Sequence, residues 1–206
     1  MIAVDAPADT VVDVMFALEG TSLPRDHALP LAQALSALLP WLPTEPLAGI
    51  HPVKVVPGYG VRGLLSQRAR LLLRLPDARL ADLAALADHT LSVGGCELRL
   101  GEPRPRELLP HSTLYAPIVA AAGDDEPLFM ETVASALQAL RVDGHRVCGR
   151  RQQIRVSGGV IAGFSLMLHG LSVADSLRVQ RAGIGPHRLL GCGIFVPHRS
   201  AAAVGA

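Results

Sequence analysis

The chain has 206 residues, half of them apolar, which is enough to bury one large or two small cores. Its formal charge of +1 conceals two unlike parts: Arg141 onward carries nine arginines against Asp143 and Asp175, whereas the first 140 residues carry ten cationic side chains against sixteen acids. No apolar run nears the roughly 20 residues that span a bilayer, and acids stand where a secretory signal would be positive, so no membrane segment is expected and a cytoplasmic location is. Cys96, Cys148 and Cys192 are scattered without CxxC spacing, which disfavours both a disulfide framework and a zinc cluster.

Val11 to Leu18 is β-prone and ends in the turn residues Gly20 to Pro24. Leu31, Ala34, Leu35, Leu38 and Leu42 then recur at helical spacing, with Asp26 as the expected N-cap. Ile50 to Val56 reads as a strand closed by Pro57-Gly58-Tyr59-Gly60. From Arg68 to Leu75 the chain alternates: Arg68, Arg70 and Arg74 share one face, while Ala69, Leu71, Leu73 and Leu75 share the other. Asp77 is placed to cap a short helix carrying Leu80 and Leu83, and Gly94-Gly95 leads to a strand near Glu97 to Leu100.

Pro103, Pro105 and Pro110 punctuate a linker, after which the order repeats. Thr113 to Ala121 is a strand, Asp125 and Pro127 start a helix, and Ser157-Gly158-Gly159 joins two strands as a hairpin. A helix near Val173 to Gln180 and a strand over Cys192 to Val196 complete the second round. The expectation is an α+β chain of two tandem ferredoxin-like βαββαβ domains. Residues 1–102 would form the first, 103–112 the linker, 113–200 the second and 201–206 a disordered tail.

Between the last helix and strand lies RAGIGPHRLLGCGIF, in which Gly183, Gly185, Gly191 and Gly193 make two Gly-x-Gly pairs five residues apart. A dinucleotide fingerprint would need a preceding strand, a third glycine three residues on, a following helix and a later acid; His187 and Arg188 stand where the pattern would continue and no acid follows, and no Gly-Lys-Ser/Thr is present for a P-loop. Glycines beside Arg181 and Arg188 in the basic part point instead to a polyanion approached by backbone.

A double ferredoxin-like chain with this GxGx₅GxG connection resembles the RAMP superfamily of CRISPR RNA-binding proteins, and within it the repeat-RNA endoribonucleases of the Cas-six family. Asp26-His27-Ala28 entering a helix and Leu39-Pro40-Trp41-Leu42 closing it are similar to the myxobacterial subtype. The resemblance implies cleavage of precursor CRISPR RNA within the repeat, without metal or cofactor. The RNA's own 2′-hydroxyl would attack the adjacent phosphate to give a 2′,3′-cyclic phosphate. The partners it implies are the repeat hairpin, which the protein would keep, and other effector-complex subunits.

Such chemistry needs a group that exchanges protons near neutral pH, and histidine does. His27 comes first because the resembling family places a histidine near the first helix; His51 is second, brought alongside by the following strand. Lys54, the chain's one lysine, and Tyr59 between glycines are candidates for transition-state charge and base contact. For RNA binding, Arg150, Arg151, Arg181 and Arg188 cluster in the basic part, His187 lies within the glycine segment, and the face of Arg68, Arg70 and Arg74 is suited to track a strand. With seven aromatic residues and no stacking motif, recognition of hairpin shape and phosphates is expected over base stacking. Two other readings remain: a non-cleaving RAMP subunit that only holds RNA, and a two-histidine phosphoesterase using His111 and His198.

Overall fold

The structure is a computed structural model that describes residues 10–199 apart from Tyr59. Its first half runs β1 (Val11–Glu19), β2 (Ser22–Pro24), α1 (Ala28–Leu38), β3 (Gly49–Ile50), β4 (Val56–Pro57), β5 (Arg62–Leu64), β6 (Arg70–Pro76), β7 (Thr90–Val93), β8 (Cys96–Leu100) and β9 (Arg104–Glu107). The second runs β10 (Thr113–Ala120), α2 (Glu126–Ala139), β11 (His145–Val156), β12 (Gly159–His169), α3 (Val173–Ala182) and β13 (Val196–Pro197). The sheet orders are β3-β6-β1-β8-β7 and β11-β12-β10-β13. Counting each half's four principal strands in chain order, both read 2-3-1-4. The fold is therefore two tandem ferredoxin-like units, with β2, β5 and β4 as a small separate sheet.

Period-two burial explains the faces. Val12, Val14, Phe16 and Leu18 of β1 and Leu71, Leu73 and Leu75 of β6 enter one core beneath α1, through Leu31 and Leu35. The second core joins Leu114, Ala116, Leu166 and Leu168 to Phe129, Val133 and Leu137 of α2 and Val179 of α3. On β1 the intervening residues Asp13, Met15 and Ala17 face the other way. That open face is where the halves meet.

Local signals decided most helix starts. Asp125 caps α2 by accepting from Leu128 N at 2.9 Å, and Ser172 caps α3 by accepting from Asp175 N at 3.1 Å. α1 departs from expectation: its N-cap is His27, not Asp26, and no side-chain cap bond is made. The segment after Asp77 forms 3₁₀ turns over Asp77–Arg79 and Ala81–Leu86 in place of an α-helix. The proline-marked stretch 103–112 contains β9, which pairs with Val12–Met15 of β1. Pro105 is tolerated there because β9 is fully exposed at the sheet margin, where proline's missing N–H costs little. The final strand is shorter than expected, Val196–Pro197 only. Among the described residues no helix is long and apolar enough to cross a membrane.

Candidate functional site

His27 and His51 both line one cleft of about 190 Å³ between the two halves. The first half supplies the start of α1 and the segment after β3; the second supplies Pro117, Ile118 and the Gln152–Ile154 stretch of β11. A larger groove of about 740 Å³ shares His51, Pro52 and Pro117 with it, and is lined by Lys54, Arg68, Arg70 and Leu72. Three expected catalytic residues, His27, His51 and Lys54, and two expected RNA-binding arginines, Arg68 and Arg70, thus line two cavities that share His51. Tyr59 lies outside the described residues, as does the tail from Ser200.

Each histidine uses one ring nitrogen to fix itself. Nδ1 of His27 bonds the Pro24 carbonyl oxygen at 2.8 Å; because a carbonyl only accepts, Nδ1 carries the hydrogen. Nε2 of His51 lies 3.2 Å from Asp13 Oδ1. The second nitrogen of neither ring is among the sealed, unpaired polar atoms of the described residues, and both rings line the cleft. Burial pushes both imidazoles below their ordinary value of 6.5. The carbonyls near His27 and the carboxylate of Asp13 beside His51 oppose that shift without reversing it. Both rings are therefore neutral near pH 7.

Asp13 was not singled out by sequence; its signal was an acid within the strand, flanked by the core residues Val12 and Val14. Burial alone would raise its pKa. The fork from Arg74, with Nε to Oδ1 at 2.7 Å and Nη2 to Oδ2 at 2.8 Å, and the bond from His51 instead hold it well below the usual carboxylate range.

Arg74 corrects the expected cationic stripe. It is 1% exposed, and its Nη1 donates to the carbonyl oxygens of Gln180 and Phe195 in the second half at 2.9 and 2.8 Å. The alternation placed it rightly opposite the core, but the second half covers that face at Arg74 while leaving Arg68 exposed. Arg70 bonds Ala69 O at 2.7 Å and stays partly open.

Arg188 requires the same correction. Buried at 9% exposure, it donates from Nε to Ala48 O at 3.3 Å and from Nη2 to Leu47 O at 3.0 Å in the first half, and from Nη1 to Ala182 O. Burial, with the nearby Arg74 charge, pushes its pKa down to about 10. Each half thus sends one arginine into carbonyls of the other.

The glycine segment follows from that packing. Gly183, Gly185, Gly191 and Gly193 all have positive φ. Gly183 and Gly193 cross so closely that a Cβ on Gly193 would strike the Ile184 carbonyl, and one on Gly183 the Arg188 guanidinium. Gly191 closes on Pro52, one residue from His51. Gly185 has more room and, with His187, is exposed to solvent. Of the remaining expected contacts, Arg150 is exposed, Arg151 pairs with Asp124, and the buried Arg181 Nε has no partner among the described residues. His111 and His198 line neither the cleft nor the groove. Among the described residues no group of three or more His, Cys, Asp or Glu gathers as a metal site would require.

A family model described as Cas6 Crispr matches residues 12–200. The CRISPR-associated endonuclease Cas6 of Myxococcus xanthus (strain DK1622) is 38% identical over 195 residues, covering 94% of this chain and 84% of that protein. Among solved structures, a CRISPR associated protein Cas6 aligns with a TM-score of 0.66 at 11% identity, over 92% of this chain and 100% of its own. A Cas6-related protein from Pyrococcus furiosus aligns with a TM-score of 0.61 at 10% identity, over 90% and 98%. At those identities the two structures speak for the tandem fold.

Proposed function

The chain belongs to the Cas6 family of CRISPR-associated endonucleases, and from that premise we propose that it cuts CRISPR repeat RNA in the cleft between its halves, without a metal ion. The observation that carries this reading is the pair His27 and His51, two neutral imidazoles lining one cleft, each tethered through one ring nitrogen. One takes the proton of the RNA 2′-hydroxyl as the 2′-oxygen attacks phosphorus. The other, in its protonated form, supplies a proton to the departing 5′-oxygen. The products are a 2′,3′-cyclic phosphate and a 5′-hydroxyl, and alignment of the attacking oxygen is the protein's further contribution.

Lys54, Arg68 and Arg70 line the groove continuous with His51, where they hold phosphates flanking the cut. Arg150 on β11 and Gly185 with His187 on the glycine segment add outer contacts to the repeat hairpin, which stays bound after cutting. Arg74 and Arg188 serve the junction between the halves and are left out of this binding set. Other subunits of a CRISPR effector complex then receive the protein with its RNA.

The test is an end-labelled repeat hairpin incubated with the protein in excess EDTA. Cutting at one position with a 2′,3′-cyclic phosphate end is expected. In His27→Ala, cleavage should fall by about 10²–10⁴-fold while filter binding is retained. Binding without cutting by the unaltered chain would overturn the catalytic reading and leave an RNA-holding subunit.

A further inference from the structure

We propose that Asp13 is a positioning residue for this reaction: it holds His51 with the hydrogen on Nε2 and turns Nδ1, as the proton acceptor, toward the RNA. The inference rests on the cleft's being the cleavage site, and it adds a residue and a division of labour to that reading.

The geometry is specific. Asp13 stands on β1 between Val12 and Val14, whose side chains enter the core, so strand alternation turns its carboxylate to the opposite face. There it lies opposite Arg74 in the antiparallel register, and His51 approaches through its own backbone bond to Leu72 O at 3.0 Å. The Arg74 fork grips both carboxylate oxygens and fixes the plane of the group. The direction in which Oδ1 accepts from His51 is fixed with it. Arg74 is itself anchored to Gln180 O and Phe195 O, so the orientation of His51 depends on how the second half is docked.

An ionised carboxylate offers only lone pairs, so Nε2 must present the N–H. The neutral ring then keeps its own lone pair on Nδ1, which bonds no described residue and is not among the sealed polar atoms. In the transfer step the 2′-hydroxyl proton moves to Nδ1 as the 2′-oxygen–phosphorus bond forms and the phosphorus–5′-oxygen bond breaks. The 5′-oxygen takes a proton from the imidazolium of His27, so protons balance across the two rings. The imidazolium formed at His51 faces Asp13, which stabilises it without itself being protonated, the same division of roles as in a serine-hydrolase triad.

The charged groups around His51 act in both directions. Asp13 on β1 favours the protonated ring, while Arg74 on β6 and Arg188 beyond α3 disfavour it. His27 lines the same cleft, and Lys54, Arg68 and Arg70 line the groove side. Removing Asp13 takes away the anion that faces the ring, so His51 must titrate at lower pH in its absence.

The experiment pairs single-turnover cleavage with imidazole ¹⁵N NMR. Asp13→Asn should cut the rate by roughly 10²–10⁴-fold. It should also move the acid limb of the pH–rate profile to lower pH and leave RNA binding within about threefold, less than a tenfold change in affinity. A variant that only loses amplitude, with its acid limb unmoved, would overturn the proposal in favour of a structural role. Because Asp13→Asn leaves Arg74 buried, the unaltered protein supplies an independent reading. The neutral His51 ring should show hydrogen on Nε2, and hydrogen on Nδ1 would overturn the proposal whatever the variant does. An unaltered protein that cuts no RNA would sink the parent reading instead, while the tautomer measurement still reports whether Asp13 holds the ring.

Discussion

The seam between the halves and the groove beside His51 are built from the same residue type and behave oppositely. Arg74 and Arg188 are buried and direct their donors to six carbonyl oxygens and the Asp13 carboxylate. Lys54 and Arg68 are exposed, Arg70 is half-buried, and all three line the groove of about 740 Å³. The difference is set by what lies opposite each guanidinium. A buried arginine must be matched by nearly as many acceptors as it has donors, and once matched it holds two surfaces together. An exposed one keeps its donors for a ligand. Stability should therefore respond to the seam and affinity to the groove.

The largest effect should come from breaking the seam. Arg74→Ala leaves Asp13 ionised in a buried position without its main partner, and leaves the carbonyls of Gln180 and Phe195 unpaired. Loss of one partner of a buried pair costs about 3–5 kcal/mol, which urea unfolding would read as a lower midpoint. An unfolding curve unchanged within about 1 kcal/mol would show that water enters the seam and that the contrast with the groove is false.

Changes in the groove should do the reverse. Lys54→Ala, Arg68→Ala and Arg70→Ala combined should leave the unfolding midpoint nearly fixed, since exposed cations contribute little to stability. RNA affinity should fall, and the slope of log affinity against log salt should become shallower by about 0.7 for each single-strand phosphate that the variant no longer neutralises. An unchanged slope would place the RNA path elsewhere, on the β11 arginines or the exposed part of the glycine segment.

This contrast also marks what the sequence could reveal. Strand order was legible because β1, β6 and β10 alternate, and because Asp125 with Pro127 announces α2 within four residues. The two histidines were nameable from their chemistry and their place in a resembling family. Arg74 was not readable as internal, because period two assigns a side chain to a face but not to what later covers that face. Arg188 failed for the same reason, its acceptors being Leu47 and Ala48, far back in the chain. Asp13 matters only because Arg74 and His51, 61 and 38 residues away in sequence, converge on it. Local signals fix elements; the bonds that cross the seam all join partners far apart in sequence.

The smallest predicted effect tests whether the cleft belongs to the seam or to the groove in its exposure. His27 and His51 have folded pKa values below 6.5, whereas the unfolded chain titrates near it, so the unfolded state binds more protons just under that pH. Stability must then fall as pH drops below about 6.5, with each ring contributing a slope of at most ~1.4 kcal/mol per pH unit. Asp13 adds to the loss only further down, below its ordinary 3.8, because its folded pKa is depressed and its stabilisation persists until it is protonated. His27→Gln should therefore flatten stability against pH just below about 6.5 while leaving the steeper acid fall intact. Urea unfolding across that range would measure it. An unflattened curve would mean that His27 titrates in the folded protein as it does in the unfolded chain, its ring as wet as the groove. In that case the neutral form at pH 7 would owe nothing to burial, and the cleft's ability to keep two uncharged imidazoles in its lining would have to come from the RNA bound there.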